Sequence, residues 1–218
     1  MSNEKPILFK DDMIRAILEG RKTQTRRIVP EWQRPSLTHD GDRYISIAQR
    51  HPRWGFGVFG KTEDECMANY NDEYASLCPF GKPGDRLWVR ETFADEAGGT
   101  RKFPGEHIYY RADGDGVDLQ GGCWTPSIHM PRWASRITLE VTGVRVERLQ
   151  DISERDSREE GARFELAEID SVRLGAEASH RGGFQNLWQR INGPDSWYAN
   201  PWVWVIKFKR IDQEAKAA

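Results

Sequence analysis

The chain has 218 residues, a formal net charge of −2 and a hydrophobic fraction of 38%, as expected for a globular protein with a sizeable core. The balanced charge argues against a broad basic surface for nucleic acid. The three cysteines are widely spaced, which argues against a disulfide framework. No apolar run approaches the roughly 20 residues that span a bilayer, which argues against a membrane helix. The N-terminal segment has no apolar signal core, so we expect a cytoplasmic protein.

The N-terminal elements are a strand, a helix and an extended polar segment. Residues 7–9 are apolar and predict a short strand, and Asp11 or Asp12 offers an N-cap for the helix that follows. Gly20 is placed to end this helix as its C′ residue. Residues 22–29 contain several β-branched side chains and predict an extended strand.

The middle of the chain has weak patterns. Residues 31–80 and 94–134 contain many Gly, Pro, Asn and Asp residues, which predicts two long loop insertions over the rest of the domain. Between them, residues 86–90 alternate polar and apolar side chains and predict a half-buried strand.

The C-terminal elements have the clearest patterns. Residues 137–146 alternate as a strand does, and Ser153 with Asp156 has the form of a capping box. Residues 184–191 place apolar side chains at helical spacing. Residues 202–208 predict the strongest strand, buried on both faces at its start.

These elements predict one α+β domain over residues 1–212, followed by a loose tail at 213–218. The expected architecture is a small, mostly antiparallel β-barrel with flanking helices and long loop insertions. The five histidines are scattered, and no cysteine pair has zinc spacing. We therefore expect neither a metal nor a cofactor.

Several blocks of the sequence resemble those of one family. They are PILF at 6–9, ILEGRKTQTRR at 17–27, PGDRLWVRETF at 83–93, LQDIS at 149–153, EEG at 159–161 and NPWVWVIKF at 200–208. In this order they resemble the ASCH domains, which are related to PUA RNA-binding domains. The long insertions resemble those of larger members encoded by phages and prophages. The resemblance implies a PUA-like β-barrel.

The resemblance also implies an activity. One activity in the family is hydrolysis of the amide of N4-acetylcytidine, carried out by a lysine, a threonine and a glutamate. In this sequence the matching positions are Lys22, Thr25 and Glu160, with Glu159 as the alternative acidic residue. The implied ligand is a modified nucleoside or base.

The residue types fit amide hydrolysis. A threonine hydroxyl needs a base to take its proton, and a lysine serves if burial or nearby cations lower its pKa. Lys22 and Thr25 are three residues apart, which places them on opposite sides of a regular strand. The hypothesis therefore requires a turn or bulge after Gly20 that brings them together.

Four further residues are candidates for substrate contact. Arg21 and Arg27 flank the lysine and threonine, Trp88 is a candidate for stacking on the base, and Glu91 follows the same strand as Trp88. Two other hypotheses stay open: an RNA-binding module without catalysis, and a ribonuclease. The sequence leaves the acyl group, the size of the substrate and the oligomeric state open.

Overall fold

The structure, a computed structural model, describes residues 4–48, 55–95, 107–114, 123–163 and 179–211. The strands in these ranges are β1 (Glu4–Leu8), β2 (Gln24–Ile28), β3 (Ser36–Leu37), β4 (Tyr44–Ala48), β5 (Phe56–Gly60), β6 (Arg86–Arg90), β7 (Phe93–Asp95), β8 (Ile108–Tyr110), β9 (Thr138–Arg148) and β10 (Trp202–Ile211). The helices are α1 (Asp11–Leu18), α2 (Glu63–Tyr74), α3 (Glu154–Glu159) and α4 (His180–Asn192). None of the described helices is long and apolar enough to cross a membrane.

The main sheet has five strands in the order β1, β6, β9, β10 and β2. The pair β1–β6 is parallel and the other pairs are antiparallel. The predicted α+β class with a mostly antiparallel sheet is therefore confirmed. Among the described strands, no ladder joins the outer strands β1 and β2 into a closed barrel. One side-chain hydrogen bond connects the two outer strands: Arg27 of β2 donates to the Leu8 carbonyl of β1 at 2.6 Å.

The strand β10, which lies between β9 and β2, is buried on both faces at its start, as its sequence predicts. Residues 202–206 are all buried, and alternate side chains enter two separate apolar clusters. Trp204 and Ile206 join the main core, while Val203 and Val205 pack in a second cluster with Phe184 and Trp188 of α4. The sheet therefore separates a large core from a smaller one that holds α4 in place.

The prediction of a long loop insertion was wrong for residues 31–80. This segment forms β3, β4 and β5 as a three-stranded sheet, with α2 packed against it. Met67 and Tyr70 of α2 enter the main core, and the Tyr70 ring centroid lies 5.7 Å from that of Trp204. The pattern was weak because α2 buries few side chains, so its apolar face is narrow.

The second predicted insertion, residues 94–134, is described in part. It contributes the strand β8, which pairs with β7. Residues 96–106 and 115–122 lie outside the described residues, as does the predicted tail at 213–218.

Two of the three predicted helix ends are confirmed. Gly20 follows α1 with a φ of +75°, a conformation that favours glycine. The Ser153 hydroxyl caps α3 by accepting from the Asp156 N–H at 3.0 Å. The predicted aspartate cap of α1 was wrong, since Lys10 is the N-cap residue and caps with no side-chain hydrogen bond. Asp11 instead lies in the first turn and accepts from Arg111 Nε at 2.6 Å.

Candidate active site

A buried carboxylate with a cation on each oxygen forms the centre of the site. Lys22 Nζ donates to Glu160 Oε2 at 2.7 Å and to the Glu160 carbonyl at 2.9 Å. Arg26 donates to Glu160 Oε1 at 3.0 Å. The side chains of Lys22 and Glu160 are 0% and 3% exposed, so this ion pair is shielded from water. The structure thus brings together Lys22 and Glu160, the residue preferred over Glu159 in the sequence.

The backbone brings these two residues together before β2 begins. The left-handed Gly20 turns the chain after α1, and the Lys22 N–H then donates to the Ala16 carbonyl at 2.9 Å. Lys22 forms an isolated antiparallel bridge with Glu160. Thr23 donates its N–H to the Glu159 carbonyl at 2.8 Å. The segment therefore pairs first with the end of α3, and its bonds to β10 begin at the Thr23 carbonyl, which accepts from the Phe208 N–H at 2.8 Å.

This arrangement bears on the spacing between Lys22 and Thr25. Because β2 starts after Lys22, the strict alternation of a strand does not fix the lysine relative to Thr25. Thr25 and Arg27 share one face of β2, and Arg27 Cζ lies 5.1 Å from the Phe9 ring centroid. Lys22 Nζ lies 5.7 Å from the same centroid. The Lys22 ammonium and the Arg27 guanidinium therefore approach the same aromatic ring.

A charge network surrounds the pair and was not foreseen from the sequence. Arg26 Nε donates to Glu147 Oε1 at 3.0 Å, and its guanidinium also reaches Asp156 Oδ2 at 3.4 Å. Arg145 donates to Glu147 at 2.7 Å and to Asp156 at 2.9 Å. The network balances three cations with three carboxylates: Lys22, Arg26, Arg145, Glu147, Asp156 and Glu160.

The electrostatics make the neutral amine form of Lys22 more accessible than it is in water. Burial lowers the pKa of the Lys22 ammonium below its usual 10.5, although the Glu160 carboxylate acts in the opposite direction. The positive charges of Arg27 and Arg26 lower it further. For Arg26, burial disfavours the cation, but Glu160 and Glu147 together raise the pKa of the guanidinium. Arg26 therefore stays charged, while Lys22 is the group whose proton is more easily removed.

A cavity of about 410 Å³, counted with its mouth to solvent, lies between α1, β2 and α4. We call it the β2 cleft. Its lining is Met13, residues 25–28, Glu160 and the α4 residues Phe184, Leu187, Trp188, Ile191 and Asn192. A second cavity of about 530 Å³ shares Met13, Glu160 and Leu187 with the cleft and extends to Arg163 and Arg190. Glu160 and Thr25 thus both line the β2 cleft.

The other candidate residues differ in their placement. Arg27 lines the β2 cleft. Arg21 lines neither cavity; it donates to Glu19 Oε2 at 2.6 Å and to the carbonyl of Gly161, a residue that lines the second cavity, at 3.3 Å.

Two of the predicted substrate contacts lie elsewhere. Trp88 is covered by Arg90 and Arg132, whose Cζ atoms are 4.7 and 5.9 Å from its ring. Glu91 accepts two hydrogen bonds from Arg136, at 3.0 and 2.9 Å. Among the described residues that line the two cavities, neither Trp88 nor Glu91 occurs. Their side chains have partners that hold the sheet and its loops together.

No group of three or more His, Cys, Asp or Glu side chains that could hold a metal ion occurs in the described parts of the chain. No protein-family model matches the sequence, and no curated protein or solved structure matches it either.

Replacing Glu160 tests whether the buried pair supports the fold. Glu160→Ala leaves Lys22 and Arg26 without their shared carboxylate, and breaking such a buried pair costs about 3–5 kcal/mol. The control is Glu159→Ala, whose carboxylate pairs near the surface with Arg155 and Lys207 and should change stability by less than about 1 kcal/mol. Urea unfolding measures both. Equal losses would contradict a special role for Glu160.

Replacing Gly161 by alanine tests how closely the end of α3 approaches Lys22. It has a φ of +78°, and an added Cβ would lie 3.0 Å from Lys22 Cβ and 2.9 Å from Ala16 Cβ. Gly20 has a similar φ of +75° but nothing within 4 Å of such a Cβ. Gly20→Ala should therefore cost about 1–2 kcal/mol from backbone strain alone, and Gly161→Ala about 1–3 kcal/mol more from overpacking. Thermal unfolding measures the stability of both variants. If Gly20→Ala is the less stable of the two, the packing described here is contradicted.

Proposed function

We propose that this chain is a PUA-like, ASCH-type protein that hydrolyses the amide of N4-acylated cytosine or cytidine without a metal. The observation that carries the proposal is the buried Lys22–Glu160 pair, whose Glu160 lines the β2 cleft together with Thr25. A lysine with a lowered pKa, a hydroxyl and a carboxylate are the groups that acyl transfer through a threonine requires.

The first step uses the pair as a base and an acid. Passing one proton from Lys22 to Glu160 along their 2.7 Å hydrogen bond gives a neutral amine beside a carboxylic acid. The Lys22 amine then takes the Thr25 hydroxyl proton as Thr25 Oγ bonds to the acyl carbon. The carbonyl π electrons move to the oxygen, which becomes an oxyanion. Arg27 is on the same face as Thr25 and lines the cleft, so its guanidinium stabilises this charge.

The second step breaks the C–N bond. The oxyanion re-forms the carbonyl, the 4-amino nitrogen leaves with the bonding pair, and Glu160 supplies its proton. The products are cytosine or cytidine and an acyl-Thr25 ester, and Lys22 and Glu160 are left as an ion pair. Proton transfer within the pair restores the amine, which takes a proton from the water that attacks the ester. The carboxylic acid leaves as Lys22 returns that proton to Thr25.

The β2 cleft suits a small neutral substrate. The apolar side chains of Phe184, Leu187 and Ile191 provide a surface for a flat ring. Glu160 on its wall is already shared by Lys22 and Arg26, and Arg27 donates to the Leu8 carbonyl. A substrate with no net charge at its reacting end therefore enters without disturbing the network.

Thr25→Val tests the nucleophile directly, because it removes the hydroxyl and keeps the shape of the side chain. We expect release of cytidine from N4-acetylcytidine in the presence of EDTA to fall by about a thousandfold or more. Thr23→Val is the matched control: Thr23 is exposed and in the same segment, so this variant should keep a near wild-type rate. Chromatography of the products measures both.

Two results would contradict the proposal. One is an unchanged rate in Thr25→Val, and the other is a wild-type protein that releases no cytidine. RNA incubated in parallel distinguishes the alternatives, since cleavage of RNA without release of cytidine indicates a ribonuclease. Salt-sensitive RNA binding without either reaction indicates a binding module.

A further inference from the structure

The second cavity adjoins the β2 cleft at Glu160. Met13, Glu160 and Leu187 line both spaces. From these shared residues the second cavity extends between α1, the end of α3 and α4 to two arginines, Arg163 and Arg190. A ligand whose reacting end lies in the cleft can therefore reach two cations with its other end.

Arg163 is an exposed side chain on a fixed backbone. A Cβ added to Gly183 of α4 would lie 2.4 Å from the Arg163 carbonyl oxygen, so the helix packs directly on this part of the chain. The carbonyl oxygen of Ala162 lies 3.2 Å from His180 Nδ1, which also joins the segment to α4. Among the residues that the structure describes, Arg163 forms no ion pair. Its charge is therefore available to a ligand.

Arg190 has only a weak partner. It follows Leu187 by three residues on α4, so both side chains lie on the face of the helix that lines the cavity. Its guanidinium is 4.0 Å from Asp12 Oδ2, at the outer limit of an ion pair, and both side chains are 61% exposed. Exposed pairs of this kind are weak. Asp12 also makes a closer contact, with Arg15, so an anion in the cavity can compete for Arg190.

Positive charge exceeds negative charge along the two adjoining cavities. The carboxylates among their described lining residues are Asp12 and Glu160, and each is bound closely by cations of its own. Arg163 and Arg190 are left over. Arg27, in the cleft, donates to a backbone carbonyl. The outer part of this space therefore complements an anion.

A phosphate ester has the chemistry that two arginines bind. A guanidinium donates paired N–H groups to phosphate oxygens, and one phosphate has enough oxygens for two guanidinium groups. The proposed function puts a neutral cytosine ring and its acyl group in the cleft. The anionic group that a cytosine nucleoside can carry is a phosphate on its ribose, and the second cavity is where such a group would lie.

We propose that Arg163 and Arg190 bind the phosphate of a nucleotide whose base occupies the β2 cleft. The identity of the base rests on the proposed function. The anion site does not, because it follows from the placement of the two arginines and the surplus of positive charge. Arg163 and Arg190 are binding residues on this account and take no part in bond breaking.

The test compares cytidine with its 5′- and 3′-monophosphates, none of which is consumed. In wild-type protein the more tightly bound monophosphate should bind about tenfold or more tighter than cytidine. Arg163→Gln and Arg190→Gln should each reduce this ratio, and the double variant should bring it to about one. Arg155→Gln is the control of equal charge change, because Arg155 is exposed, pairs with Glu159 and lines neither described cavity. Its ratio should equal that of the wild type. Calorimetry measures the dissociation constants.

A second measurement guards against a misfolded variant. The ³¹P resonance of the monophosphate should shift on binding to wild-type protein and to Arg155→Gln, but not to the double variant, while circular dichroism shows that all of them are folded. Monophosphates that bind no tighter than cytidine overturn the inference. An equal loss in Arg155→Gln also overturns it, since the effect is then one of net charge. A short RNA that binds where neither monophosphate does overturns it in favour of a polymer.

The two proposals fail in different ways. If N4-acetylcytidine is hydrolysed but the monophosphates bind no tighter than cytidine, the phosphate inference is wrong and the hydrolysis stands. If a monophosphate binds through Arg163 and Arg190 but no amide is cleaved, with or without a phosphate on the substrate, the binding inference stands and the hydrolysis is wrong.

Discussion

The Glu160 carboxylate, buried between Lys22 and Arg26, is the constraint on which the rest of the site depends. Two charges removed from water are tolerable only when their geometry is good and their remaining hydrogen-bonding capacity is used. Here each carboxylate oxygen has its own cation, and Lys22 also donates to the Glu160 carbonyl. The same contacts join the end of α3 to the start of β2. The stability of this region and the proposed chemistry therefore depend on the same ion pair.

The fold leaves an open sheet edge where this pair lies. β2 ends the main sheet, and α1 and α4 flank it without covering it, so the cleft has one wall of peptide groups and one of apolar side chains. An open edge usually risks pairing with another chain. In this protein the edge lies in a recess between two helices. The recess combines charged side chains with an apolar surface, which is the basis for proposing a small heterocyclic ligand.

The sequence predicted the elements whose patterns are local. Gly20 at the end of α1, Ser153 as the cap of α3 and the two-sided burial of β10 each follow from a few adjacent residues. Residues 31–80 were misjudged because their short strands and the narrow face of α2 give little periodicity. The partners of Arg26 lie more than 100 residues away, and the fold alone brings them together. The Lys22–Glu160 contact was suggested only by a resemblance, since nothing in the local pattern links the two residues.

The central claim is that Thr25 attacks the acyl group while Lys22 and Glu160 move its protons. The most direct measurement is mass spectrometry of protein mixed with N4-acetylcytidine and quenched with acid within the first turnover. The account predicts a mass increase of one acetyl group, located on the peptide that contains Thr25 and absent from Thr25→Val. Turnover without such an adduct, or an acetyl group located on Lys22 instead, would contradict it.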